Sequence, residues 1–289
     1  MQDNAYSVAH SPDADDVFMY YALNFGWVSC PYKLESKALD IESLNVAALE
    51  STYDISAISF SLYPHIKQDY ALLRTGVSFG EGYGPKMIKR KGSSLKSNFK
   101  VALSGANTTN ALLFKIAYPK ARIIYLNFLD IEEAVLSGQV DAGVLIHESI
   151  LTFDETRLEV ERFIWDIWQE LTGSDLPLPL GGMALRRSIP LNKAIVLEDA
   201  LTKAVKVALH FKPLLSKMLI AQNLVRVSEK DLDTYLNLYA NENSCTLSEL
   251  QLRAINKLYE IGYKHGFYKE QVDVNKFLIP REYETLRKS

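Results

Sequence analysis

Cysteine is scarce. Cys30 and Cys245 are the two in 289 residues, they lie far apart, and they form neither a CxxC pair nor a Cys/His cluster with metal-ligand spacing. Both read as ordinary packed or partly exposed thiols. No apolar run approaches the ~20 residues that cross a bilayer. The opening MQDNAYSVAHSPDADD has neither the basic stretch nor the apolar stretch of an export signal. These absences predict a cytoplasmic protein with no membrane partner. An excess of charge of one sign is also missing: 32 Lys and Arg face 35 Asp and Glu, a formal net charge of -3, and the longest basic stretch is Lys86 to Lys91, KMIKRK. Without a basic footprint for a phosphate backbone, nucleic acid is not an expected partner. The chain also lacks a GK[ST] ending after a Gly-rich turn, a GxGxxG after a strand, a GxSxG elbow and a DxDxDG loop, so the P-loop, dinucleotide, hydrolase and calcium-loop readings have no motif to stand on.

What is present is a globular composition, 48% hydrophobic and 23% charged. At roughly 100 to 200 residues per domain, the length predicts two domains with a cleft between them. An internal repeat organises the first half. Leu39-Asp40-Ile41-Glu42 and Leu129-Asp130-Ile131-Glu132 each open a short helical pattern that leads into an apolar strand, 55–60 after Asp54 and 142–147 after Asp141. Upstream, Tyr6 to His10 and Lys100 to Ser104 are β-prone runs, each followed by a turn, a helical pattern and a further strand, 32–38 and 121–126. Each copy reads strand, turn, helix, strand, helix, strand, which predicts an α/β fold with two parallel sheets and right-handed crossovers. Lobe one is expected from 1–88 plus 187–289 and lobe two from 89–186. Extended segments rich in Gly and Pro, 80–85 and 177–182, should carry the chain between the lobes. Beyond 190 the pattern is helical to the end, with helices over 194–221, 228–239 and 246–263. Capping boxes are expected at Asp130/Glu133, Ser228/Asp231 and Thr246/Glu249.

Ligands of open parallel sheets sit outside the carboxyl ends of the strands, where helix N-termini converge. The repeat therefore nominates its own site. Lobe one supplies the turn from His10 to Asp16, Asn45 near the start of its LDIE helix, and Ser59 and Ser61 at the end of its third strand. Lobe two supplies the turn 104–110, SGANTTN, and His147-Glu148-Ser149. The SGANTTN turn reads either as a carboxylate or phosphate cradle on a helix dipole or as a plain N-cap. His147 ends an apolar strand and should face the cleft in a mostly hydrophobic setting. A small shift of its pKa from ~6.5 would fit it for acid–base work at neutral pH, with packing or substrate hydrogen bonding as the alternative. His10 is its rival, while His65, His210 and His265 read as structural or exposed. Asp13-Ala14-Asp15-Asp16 offers oxygen ligands to a cation but reads better as helix capping, and no metal is expected. Asp16 is placed to accept a hydrogen bond from a substrate hydroxyl, and Ser59 and Ser61 to bond a ligand.

Together HSPDADDVFMYYAL, SGANTTN and GVLIHES resemble the 1,4-dihydroxy-6-naphthoate synthases of the futalosine route to menaquinone, over most of the chain. The family's SPxxNDxF pattern falls on Ser11 to Phe18; Asp16 and Phe18 match, whereas Asp15 stands in place of Asn and Val17 in place of Thr. The resemblance implies a two-lobed fold like the type II periplasmic binding proteins, with two interlobe crossings and a helical carboxy-terminal segment. It implies a lyase that converts cyclic dehypoxanthine futalosine, a small-molecule carboxylate, to 1,4-dihydroxy-6-naphthoate by carbon–carbon cleavage and aromatisation, without metal or organic cofactor. The family's histidine proton acceptor falls on His147. Its substrate contacts fall on Ala57, Ile58 and Ser59 and on the turn with Thr108, Thr109 and Asn110. Two other readings share the fold: a chorismate dehydratase of the same route, and a solute-binding protein without chemistry. Oligomeric state is not legible in the sequence.

Overall fold

The computed structural model describes residues 5–280. The first copy of the repeat forms β1 (Ala5–His10), α1 (Ala14–Asn24), β2 (Lys33–Ala38), α2 (Ile41–Leu49) and β3 (Ile55–Ser59). A short α3 (Tyr63–Ile66), β4 (Tyr70–Leu72) and β5 (Ser78–Gly80) follow, and then β6 (Lys86–Arg90). The second copy forms β7 (Lys100–Leu103), α4 (Thr109–Ala117), β8 (Arg122–Tyr125), α5 (Ile131–Leu136) and β9 (Ala142–Leu145). After it come α6 (Ser149–Thr152), β10 (Leu158–Phe163), α7 (Ile164–Thr172) and β11 (Leu178–Arg186). Four helices complete the described chain: α8 (Leu191–His210), α9 (Lys212–Ala221), α10 (Glu229–Tyr239) and α11 (Glu249–Lys264).

The repeat is visible in the pairing. One sheet has the order β2-β1-β3-β11-β4, with β5 also on β11, and the other has the order β10-β6-β9-β7-β8. In the first, β1 runs parallel to β2 and β3, with Val8 opposite Ile55. In the second, β7 runs parallel to β8 and β9, with Val101 opposite Ala142. Each parallel triplet is then flanked by an antiparallel strand delivered from a crossing: β11 on β3, with Gly181 opposite Ser59, and β6 on β9, with Lys86 opposite Leu145. The crossings thus end as strands beside the nominated strand ends. Since β6 lies wholly in the second sheet and β11 wholly in the first, the chain passes between sheets at 81–85 and 173–177, whereas the boundaries drawn from sequence lie at 88/89 and 186/187.

Local chemistry explains most element starts. Asp40 caps α2 by accepting the N–H groups of Glu42 and Ser43, each at 3.1 Å, and Ser228 caps α10 by accepting that of Asp231. Two expected caps are displaced. Asp130 has helical backbone angles and caps nothing, because a 3-10 turn over Phe128–Asp130 moves the cap back to Asn127, which accepts from Leu129. The extended residue before α11 is Ser248, so the capping box is Ser248/Gln251 and not Thr246/Glu249. The helix expected over 194–221 is two: it breaks at Phe211, with Pro213 in the first turn of α9, where a missing N–H costs nothing. Helices α8 and α10 pack on α1 and α11 packs on β11, so the carboxy-terminal helices lie mainly on the first sheet. The helical pattern expected beyond residue 280, like the opening tetrapeptide of the export-signal reading, falls outside the described residues. No helix among the described residues is long and apolar enough to cross a membrane.

One glycine links core to cleft. Gly76 has φ +65, and a Cβ there would run into the hydroxyl of the buried Tyr20. Gly76→Ala is expected to lower unfolding stability by about 2 to 4 kcal/mol, from backbone strain plus the overlap. Urea unfolding measures this; addition of Tyr20→Phe should recover part of the loss, and a variant as stable as the parent would contradict the packing described.

Candidate active site

The carboxyl ends of β1 and β3 face those of β7 and β9 across a cleft of about 750 Å³, its open mouth included. Of the nominated residues, Asp16, Ala57, Ile58, Ser59, Thr108, Thr109, Asn110 and His147 line it. Two do not. Asn45 is fully buried behind the wall, where it donates to Ser59 Oγ at 3.0 Å and accepts the Ser59 N–H at 2.9 Å, so it positions Ser59. Ser61 is carried away from the cleft by a 3-10 turn over Phe60–Leu62. Its hydroxyl donates to the Asn107 carbonyl at 2.8 Å, and it lines a separate cavity with His65 and Lys115. His10 is ruled out as a rival, since its ring nitrogens are engaged by the Ser11 carbonyl and Ser36 Oγ, both at 2.7 Å, and it does not line the cleft.

His147 follows β9 with φ +54, a left-handed conformation that is uncommon for a residue other than glycine. Its Nδ1 meets Asp13 Oδ2 at 2.7 Å, its ring edge meets Phe128 with centroids 5.1 Å apart, and its buried Nε2 makes no hydrogen bond among the described residues. The expected hydrophobic setting is not found. The first turn of α1, from the opposite lobe, surrounds the ring with carboxylates. Burial works against the charged imidazolium, but the Asp13 charge and hydrogen bond, with Glu148 and Asp15 beyond, outweigh it and push the pKa up to about 9. The raised pKa makes His147 an imidazolium at neutral pH.

Asp13 was expected to cap α1. It occupies the cap position, yet its side chain caps nothing there. Instead it accepts from Ser11 Oγ, from His147, and from Arg226 Nη2 at 3.1 Å. The orphaned N–H of Ala14 is taken from across the cleft by Glu148 Oε1 at 2.9 Å. Asp16 accepts the Ser11 N–H at 2.8 Å; burial first, then the Asp13 charge, outweigh that bond and push its carboxyl up to about 7. Further ties hold the lobes together: Asn107 donates through its backbone and side chain to Glu42, at 3.2 and 2.9 Å, and Thr109 Oγ1 donates to the Leu180 carbonyl at 3.1 Å. Thr108 Oγ1 caps α4 by accepting from Ala111 at 3.2 Å. Among the described residues no three His, Cys, Asp or Glu side chains form a metal-ligand group.

Sequence reasoning missed the partners of His147. Asp13 stood in a flagged turn but under a local explanation, and nothing in the linear order of residues links it to position 147. Arg226, which also stacks on Phe128 at 5.2 Å, lies in the connection between α9 and α10, and Tyr235 and Tyr239, which line the cleft, come from α10, a helix read only as packing.

The Asp13 pair has a pH signature. Because the folded pKa of His147 is raised, the stabilisation is complete below ~6.5 and is lost as pH rises through about 9. Asp13→Asn removes the largest upward pull and leaves burial opposed only by Glu148 and Asp15, so the His147 pKa should fall from about 9. An NMR titration of the imidazole measures it, and an unmoved midpoint would show that Asp13 is not the cause.

Comparison with known proteins agrees with this architecture. The sequence model of a family described as "Menaquinone biosynthesis" matches residues 6–264. A 1,4-dihydroxy-6-naphtoate synthase from Thermus thermophilus is 32% identical over 265 residues, 91% of this chain and 95% of the relative. A crystal structure of an Archaeoglobus fulgidus protein superposes with a TM-score of 0.85 at 31% identity, covering 92% of this chain and 99% of that one. The ligand-binding component of an ABC-type import system from Staphylococcus aureus, zinc-bound in its crystal, superposes with a TM-score of 0.71 at 12% identity and 99% of both chains. That likeness shows the two-lobed periplasmic-binding-protein fold. With the family match spanning both lobes and the cleft between them, the chain belongs to the menaquinone biosynthesis family.

Proposed function

We propose that this chain is a lyase that converts cyclic dehypoxanthine futalosine to 1,4-dihydroxy-6-naphthoate, with His147 as the base. The observation that carries this reading is a buried imidazole held at Nδ1 by Asp13 while Nε2, without a partner among the described residues, belongs to a ring lining the cleft. A His–carboxylate pair of this kind fixes which nitrogen exchanges a proton and steadies the charge that results. The substrate carboxylate is assigned to the strand end Ala57–Ser59 and the turn Thr108–Asn110, where hydroxyls and the start of α4 provide donors without a cation. Asp16 is assigned to a substrate hydroxyl.

In the step itself, neutral His147 takes a proton from the sugar-derived portion. The electron pair so released breaks the carbon–carbon bond to the ring, and the pair left on the ring is delocalised onto an oxygen that ends, with a proton, as a product hydroxyl. Aromatisation drives the cleavage, and no oxidant or reductant is consumed. Since the resting ring is an imidazolium, kcat/KM should climb about tenfold per pH unit below about 9, where the neutral base is the minor form. His147→Asn, a residue that tolerates the left-handed backbone, should still fold, less stably at neutral pH for want of the Asp13 pair, and lose about 10²- to 10⁴-fold in turnover. Incubation with the cyclic futalosine derivative and, separately, with chorismate, with products identified by mass, tests the assignment. Wild-type rates in the variant would remove His147 as base, and conversion of chorismate instead would make the chain a dehydratase.

A further inference from the structure

A second cleft residue stands out by what it is not given. The cleft end around His147 gathers the carboxyl groups of Asp13, Asp15, Asp16 and Glu148, and the cations beside them, His147 and Arg226, are both engaged by Asp13. Asp16 receives the Ser11 N–H and Glu148 the Ala14 N–H. Asp15, 7% exposed in the first turn of α1, receives only the Tyr235 hydroxyl, which donates to Oδ1 at 3.1 Å, and no hydrogen bond among the described residues reaches Oδ2. The other titratable groups beside it are phenols, Tyr20 from α1 and Tyr239 from α10. A buried carboxylate with one neutral donor and three carboxyl neighbours is the member of the group that a proton relieves most. We infer that Asp15 is kept as a neutral carboxylic acid and donates a hydrogen bond from its free oxygen to the substrate oxygen on which negative charge develops.

This rests on the lyase reading for the identity of that oxygen. Burial, then Asp16 and Asp13, push the Asp15 carboxyl well above the ordinary range, against a smaller opposing pull from His147. The geometry divides the labour: His147 exchanges a proton at Nε2 while Asp15, which lines the same cleft, meets the charge left on the ring. A buried neutral acid suits this work because it donates without bringing a negative charge to a developing oxyanion.

The test pairs spectroscopy with kinetics. Infrared difference spectra between wild type and Asp15→Asn, both free of ligand at neutral pH, should show the carbonyl stretch of a protonated carboxyl that the variant lacks. Asp15→Ala should lose about a hundredfold in turnover of the cyclic substrate. Asp15→Asn keeps an acceptor for Tyr235 and an N–H donor for the substrate, so it should lose less than about tenfold. Ionisation of Asp15 should make the wild-type rate fall at alkaline pH, and Asp15→Asn should abolish that fall. A missing infrared band, an Asn variant as slow as the Ala variant, or an alkaline fall that survives in Asp15→Asn would each overturn the inference. A wild type inert on the cyclic substrate would instead sink the lyase reading, and the infrared band would still decide the protonation of Asp15.

Discussion

Asp13 and His147 come from opposite lobes, and the 2.7 Å contact between them is the constraint on which the cleft depends. One partner sits where α1 begins, the other two residues past β9, and neither position is at the cleft unless both strand ends face each other. The exchange beside it has the same logic: α1 leaves its own first N–H unpaired, and Glu148 of the facing lobe supplies the acceptor. A helix end completed from across the cleft is a closing device, because separation of the lobes would return that N–H to water and strip the imidazolium of its counter-ion. The same contacts that close the cleft thus set the protonation state of the group assigned to chemistry.

The duplicated topology explains how such different side chains come to face one another. In both sheets a parallel triplet is flanked by an antiparallel strand arriving from a crossing, so each third strand ends beside chain that has just come from the other lobe. Gly181 beside Ser59 brings backbone to the wall of the cleft. Symmetry of the scaffold does not extend to the chemistry. After β3 the chain enters a 3-10 turn that buries Phe60, whereas after β9 the corresponding position is His147 in a left-handed conformation. A net charge near zero is compatible with an anionic substrate on this plan, since donors at the strand ends and the start of α4 take the place of a basic surface.

Much of this was legible in the sequence because it is periodic or local. The LDIE repeat, its alternating strands and helices, and the strand ends with Ser59, Thr108 to Asn110 and His147 follow from spacing alone. Asn45 and Ser61 were placed on the correct elements but not on the correct sides, since one buried hydrogen-bond pair and one 3-10 turn decide which way those side chains go. The setting of His147 was misjudged for a deeper reason. An apolar strand leading to a histidine describes only the chain on one side of it, while its electrostatics come first from Asp13, and beyond the adjacent Glu148 from Asp15, both some 130 residues upstream. A carboxylate in a first helical turn has a sufficient local explanation, and that explanation hid the long-range one.

The central claim is that a closed cleft presents the free nitrogen of a carboxylate-held histidine to a substrate anchored at the opposite strand ends. A crystal structure of the protein with its aromatic product bound tests it most directly. The account predicts the product carboxylate against Ser59 and the Thr108–Asn110 turn, with the edge of the ring that bore the cleaved bond turned toward His147 Nε2 and Asp13 still on Nδ1. A product seated elsewhere, or one that leaves Nε2 facing only carbon with Asp13 turned away, would contradict it.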